Sequence, residues 1–306
     1  MADRIVIGTR GSLLALAQSS RVISALRDVH GGAVDIEQRV YVTTGDLRLD
    51  RPLPEIGGKG VFTAELDAAL RSGEIDVAVH SLKDLPVDAD EATGEAVLGA
   101  ICMRDAANDA LIAAAGMTLA GLPHGALVGT SSLRRRAQLR VLRPDLRVES
   151  IRGNVDTRIR KVREGAYDAV LLAACGLLRL RRGDEINELI PIDAVLPAPG
   201  QAAIAVQCRR DDAAVRARLR PLDHAATRAA VMAERAFLNG LGGGCSLPVA
   251  AYAVVDGTGI TLVGRVCATR AEDVIEVRGR GEGAAALGRE LAALALARGA
   301  HSLLVK

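Results

Sequence analysis

The chain has 306 residues, 49% of them hydrophobic and 25% charged, with a formal net charge of +2. That length accommodates two or three domains with cores of their own. The balance excludes a disordered chain, and near-neutrality gives no general affinity for nucleic acid or an anionic membrane.

In chain order, residues 4–8 (RIVIG) read as a strand and 12–28 as a helix with apolar positions at Leu13, Leu16, Ala17 and Ile23. VDIEQRVY is a second strand, VFTAELDAAL a helix and residues 75–79 a third strand. This βαβαβ order implies a parallel sheet with crossover helices. The pattern recurs: strands at 126–130, 146–151 and 168–174 alternate with helices at 131–142 and 154–164. After the Pro- and Gly-rich LPAPGQ come a strand, AAIAVQ, and two helical segments. Strands near 249–255, 259–268 and 273–279 then precede one Ala/Leu-rich helix, a modest α+β domain.

The amino terminus carries no apolar signal segment, and no run of about 18 apolar residues occurs, so a cytoplasmic location is expected. Five cysteines, odd in number and never spaced C-x-x-C, indicate neither a disulfide framework nor a zinc site, and no metal is expected. GGKG at 57–60 fails as a phosphate loop, because Leu53 and Gly60 stand where Gly and Ser or Thr are needed. Aromatics are only 2% of the chain, so base-stacking platforms are not expected.

Three local features carry chemistry. Residues 134–163 hold eleven basic side chains against three acidic ones, a local charge of +8. The first arginines follow GTSS, where a strand gives way to a helix capped by Thr130, Ser131 or Ser132. Free N–H groups, the helix dipole and guanidinium forks together make an anion site; the alternative is a solvated basic face. In VAVHSLKDLP a strand ends at Val79, placing His80, Lys83 and Asp84 in a loop at its carboxyl end, where open α/β sheets hold ligands. Arg10 and Ser12 of GTRGS lie at the same edge. Finally, GLGGGCSLP surrounds Cys245 with glycines, which either turn the backbone sharply or let something bulky approach the thiol.

The motifs RGS-x-LALAQ, GGKG, HSLKDLP, GTSSLRRRAQL, RGNVDTR, PAPGQ and ERAFLNGLGGGCSLP occur in this order over nearly the full length. Together the chain closely resembles the porphobilinogen deaminase (hydroxymethylbilane synthase) family. It departs from that pattern at Leu13 (commonly Pro), Ala202 (often Gly) and Leu247 (usually β-branched). The resemblance implies two α/β domains of the type II periplasmic-binding-protein kind with mainly parallel sheets, plus a smaller α+β carboxy-terminal domain. Domain 1 would be residues 1–102 and 197–221, domain 2 residues 103–196, and domain 3 residues 222–306. It implies a transferase that condenses four porphobilinogens head to tail, on a dipyrromethane cofactor held by a thioether to Cys245. Asp84 would be catalytic. Lys83, Asp84, Thr130, Ser131, Ser132, Arg134, Arg135, Gly153 and Arg158 would hold the cofactor. Arg10, Ser12, Lys59, Phe62, Arg152, Arg158, Arg179 and Gln201 would hold the carboxylated substrate. The other cysteines, in apolar runs, are expected to be inert. A monomer is implied, with no nucleic acid or membrane as partner. A solute-binding protein sharing the α/β domains, or a nucleic-acid binder using the basic stretch, are the competing readings.

Overall fold

A computed structural model describes residues 3–47, 61–87, 95–114, 116–243, 247–268 and 273–304. Their contacts divide the chain into two units, residues 1–104 with 203–228, and residues 105–202 with 229–306.

The first unit is built on a five-stranded sheet. Strands β1 (Asp3–Arg10), β2 (Val34–Tyr41), β3 (Val77–Ser81) and β4 (Ala96–Ile101) run one way. A returning strand, β10 (Ile204–Arg209), runs against them between β3 and β4, giving the order β2-β1-β3-β10-β4. Its helices are α1 (Leu13–Val29), the single turn α2 (Thr44–Leu47), α3 (Ala64–Arg71) and α7 (Ala213–Leu219). Ile5, Ile7, Val22, Leu26, Val77, Val206 and Leu219 make its apolar core. Such burial is worth about 1.5–3 kcal/mol per large aliphatic side chain.

The second unit repeats the plan. Strands β6 (Leu127–Gly129), β7 (Arg147–Glu149), β8 (Ala169–Ala173) and the short β9 (Glu188–Leu189) share a direction, and β5 (Asp109–Ala113) runs against its neighbours β8 and β9 in the order β7-β6-β8-β5-β9. Helices α4 (Leu133–Leu142), α5 (Val155–Arg163) and α6 (Ala174–Arg179) belong here. Helix α8 (Ala225–Gly240) leads into an antiparallel sheet of β11 (Val249–Asp256), β12 (Gly259–Cys267) and β13 (Val274–Gly281), followed by α9 (Ala284–Ala297) and α10 (Ala300–Leu304). Phe237 of α8 is fully buried against Gly264, where a Cβ would lie 2.4 Å from the ring. Buried Glu234 accepts from the Gly200 and Ala253 amides at 2.7 and 2.8 Å, so one carboxylate ties this sheet to the PAPGQ turn.

The fold class read from the sequence holds: two α/β sheets of mainly parallel strands and a smaller α+β carboxy-terminal part. The wholly parallel sheet implied by the βαβαβ order is corrected. Each sheet contains one strand laid against the others, β10 or β5, and both are formed where the chain passes between units. HSLKDLP is corrected as well, since β3 runs on to Ser81 and buries His80 within the strand. Lys83 and Asp84 follow in a 3₁₀ turn over Leu82–Asp84.

Candidate active site

In the first unit β1 and β3 are parallel, so their carboxyl ends, Arg10 and Ser81, share one edge. Ser12 caps α1, its Oγ accepting from the Ala15 amide at 3.2 Å, which points the helix amino terminus at that edge. Arg10, Ser12, Phe62, His80, Ser81 and Asp84 line a cavity of about 60 Å³ there. The Arg10 guanidinium carbon lies 4.2 Å from the centroid of Phe62, a cation–π contact that fixes the arginine beside the opening. Gln18 donates to the Ser81 hydroxyl at 2.8 Å and so is engaged on the same wall. Asp84 is half-buried and Lys83 stands beside it in the turn. Burial, and then the nearby Arg10 charge, hold the His80 imidazole down to about 4, so it is neutral at physiological pH. Lys59 lies outside the described residues.

In the second unit the carboxyl ends of β6, β7 and β8 share an edge, and β5 runs the other way, so its first residue, Asp109, meets Ala173 there. After β6, buried Thr130 accepts from the Ser132 amide at 3.2 Å, and Ser131 donates to the Ile151 carbonyl. Of the three candidate caps Ser132 is the one used, accepting from the Arg135 amide at 3.4 Å. After β7, Gly153 adopts φ +113, where a Cβ would also strike Thr157 at 2.6 Å. This conformation lets its carbonyl accept from Arg158 Nε at 2.9 Å, while Asn154 caps α5.

The arginines fall into two groups. Arg134 and Arg135 are buried and share Asp109, at 2.8 and 2.7 Å, and donate further to the Leu196 and Leu171 carbonyls. Burial alone would raise the Asp109 carboxyl; the two guanidiniums reverse this and hold it well below the usual carboxylate range. Arg158 differs. Burial, then the like charges of Arg135 and Arg152, push it down to about 10, and among the described residues no acidic group is seen to offset them. A guanidinium driven that way sits where an anion is wanted.

Two of the expected substrate ligands have internal partners. Arg179 pairs with Asp105 at 2.8 Å and donates to the Ala202 carbonyl. Gln201 is fully buried and donates to the Ala107 carbonyl and to Asp109, at 2.7 and 2.8 Å. Neither presents its bonded face to a ligand; Gln201 braces the Asp109 network, and Arg179 ties Asp105 to the Ala202 carbonyl. Asp109 itself escaped the sequence reading because its strand was not recognised.

Cys245 lies outside the described residues. Before it, Gly242 and Gly243 take φ +96 and +66 as α8 ends, with Gly243 N donating to the Leu238 carbonyl, so these two glycines serve the turn. Cys175, Cys208 and Cys267 are buried, and burial pushes the Cys208 and Cys267 thiols up to about 11. Neither is a reactive thiolate. Among the described residues no helix is long and apolar enough to cross a membrane.

Residues 5–217 match the family model described as "Porphobilinogen deaminase, dipyromethane cofactor binding domain", and residues 228–297 match "Porphobilinogen deaminase, C-terminal domain". Curated porphobilinogen deaminases are similar throughout: that of Roseiflexus castenholzii is 48% identical over 99% of each chain, and that of Roseiflexus sp. 49% over 99% of each. The Brevibacillus brevis protein is 45% identical over 98% of this chain and 96% of its own. Among solved structures, the periplasmic aliphatic sulphonate binding protein SsuA of Escherichia coli is similar with a TM-score of 0.42 at 16% identity, over 78% of this chain and 70% of that one. By sequence along almost all of its length, the chain belongs to the porphobilinogen deaminase family.

Proposed function

We propose that the chain is a cytoplasmic, monomeric transferase that joins four porphobilinogens head to tail, releasing ammonia at each addition and finally a linear hydroxymethylbilane. The observation that carries this reading is the crowding of Arg135, Arg152 and Arg158, in which Arg158 is driven down to about 10 by burial and by its neighbours' charge. Such a cluster is stabilised by a ligand with several carboxylates, and not by a neutral one.

A dipyrromethane fits that demand, since each of its two rings bears an acetate and a propionate. When bound it supplies a covalent primer whose terminal ring offers a carbon nucleophile. In this reading residues 222–306 form a third domain that anchors it through Cys245, and residues 103–196 form the second. Ser131, Ser132, Thr130 and the Gly153 loop present the amino ends of α4 and α5, while Arg152 and Arg158 meet carboxylates directly. Arg134 and Arg135, fixed by Asp109, form the rigid positive wall behind them. Residues 1–102 and 197–221 form the first domain, where Arg10 and Ser12 hold a substrate carboxylate and Lys83 pairs with a carboxylate of the cofactor. Asp84, half-buried at the cavity, assists departure of the amine and stabilises positive charge on the pyrrole nitrogen.

The test is incubation of the purified protein with porphobilinogen, following ammonia and product together, with Cys245→Ser alongside. Ammonia release with hydroxymethylbilane formation in the wild type, and neither in Cys245→Ser, is expected. Undiminished turnover by Cys245→Ser would sink the anchoring role.

A further inference from the structure

Phe62 is half-buried in the turn before α3, with the Arg10 guanidinium carbon 4.2 Å from its ring centroid. The ring lies against the bare backbone of Gly45, a buried residue of the single turn α2. A Cβ at residue 45 would overlap Cδ1 and Cε1 of Phe62 and stand 2.9 Å from its Cζ. Backbone conformation does not call for glycine here, since Gly45 is not among the residues with positive φ. In a helical turn glycine is also a poorer former than alanine, by about 1 kcal/mol. Its presence at residue 45 therefore answers to the ring.

The segments on either side of this contact are pinned to each other. Gly45 N donates to the Val61 carbonyl at 3.0 Å, and Thr44 donates from both its amide and its hydroxyl to Glu65 Oε1 at 2.8 Å. Glu65 stands on α3, whose Leu66 and Leu70 are fully buried in the first unit. A methyl added at residue 45 is then accommodated by the ring, which can turn about χ1, while a backbone shift would break these hydrogen bonds.

We propose that Gly45 is a positioning residue for substrate capture: its missing side chain seats Phe62, and Phe62 in turn sets the direction of Arg10 at the opening of the cavity. This rests on the reading that Arg10 meets the substrate. Gly45 itself touches no ligand. A ring driven off its seat takes the cation–π contact with it, and the guanidinium then spends less time where the substrate needs it. The loss falls on binding, so it enters KM before kcat.

The test uses the holoenzyme with Gly45→Ala, Phe62→Ala and the double variant. The chain has two phenylalanines, so ring-¹³C phenylalanine gives two sets of signals, and Phe62→Ala identifies which is which. In Gly45→Ala the Phe62 signals and the Arg10 ¹⁵Nε resonance should shift while the Phe237 signals stay. KM for porphobilinogen should rise at least about fivefold with kcat within about threefold. Phe62→Ala should raise KM comparably, and adding Gly45→Ala to it should change KM by less than about twofold, because no ring is left to displace. A glycine needed only by the local backbone would exert its full effect in both backgrounds. Unmoved Phe62 or Arg10 resonances in Gly45→Ala, or effects on KM that multiply in the double variant, overturn the proposal. Should Gly45→Ala fail to fold, the double variant should fold and match Phe62→Ala; if it fails as well, the proposal is overturned. If the wild type does not turn over porphobilinogen, it is the functional reading that fails, and the Phe62 and Arg10 resonances still decide whether Gly45 seats them.

Discussion

The two sheets share a plan and differ in what their carboxyl edges carry. At the first, Arg10 and Asp84 bring opposite charges to a small cavity beside a neutral histidine. At the second, arginines crowd together, and Asp109 compensates two of them and not Arg158. The same topology therefore gives one edge suited to acting on a single small molecule and another suited to gripping a polyanion. What separates them is how much like charge is gathered at each edge.

The largest effect that could break this comparison is on stability. Asp109→Asn leaves two buried guanidiniums without their carboxylate, and we expect a loss of about 3–5 kcal/mol in denaturant unfolding. A change below about 1 kcal/mol would show that the paired arginines are no scaffold.

Between pH 7 and pH 4 acid should act through His80 of the first unit, and below that through Asp109 of the second. His80 has a folded pKa depressed from 6.5 to about 4, so the unfolded chain binds a proton that the folded one refuses. The resulting stability is present above pH 6.5 and lost as pH falls toward 4, by up to about 3 kcal/mol. Unfolding free energies measured at pH 7 and pH 4 should differ less in His80→Gln than in wild type by about that amount; equal differences would rule out the assignment.

Asp84→Asn keeps size and turn propensity while deleting the charge. It should cut single-turnover ammonia release by at least about two decades, with Asp84→Glu retaining more. Stability and cofactor content should survive both. Ammonia release near the wild-type rate would move the catalytic role elsewhere, Lys83 first.

Much of this was legible in the sequence because each signal was local. Alternating β-branched runs marked β1, β2 and β8, and GTSS before a run of arginines marked a capped helix. Strands β4 and β5 were missed because the sheet pairing that defines them is remote: β10, which flanks β4, lies about a hundred residues away. Asp109 was invisible for the same reason, and so was the internal engagement of Arg134, Arg135, Arg179 and Gln201, since a sequence shows charge without showing who shares it. His80 was placed in a loop because Ser-Leu-Lys-Asp reads as a turn; pairing with β10 carries the strand to Ser81.

A smaller effect separates family departure from function. Leu13 is 58% exposed at the first position of α1, after a Ser12 in extended conformation, so proline fits there. Leu13→Pro should raise stability by up to about 1 kcal/mol in thermal unfolding and leave turnover unchanged. At Ala202 the left-handed φ of +73 costs a residue with a Cβ about 1–2 kcal/mol, a strain that the glycine common at this position would not carry.

The central claim is that the crowded guanidiniums of the second unit, Arg158 above all, hold a covalently anchored polyanion, and the intact mass of Arg158→Leu beside wild type tests it most directly. The wild type should exceed its sequence mass by two porphobilinogens less two ammonias. Arg158→Leu should fold, since it removes a buried like charge, yet load poorly, because a lost charge-assisted hydrogen bond costs about one to two decades in affinity. Full mass excess in Arg158→Leu, or none in an active wild type, would contradict the account.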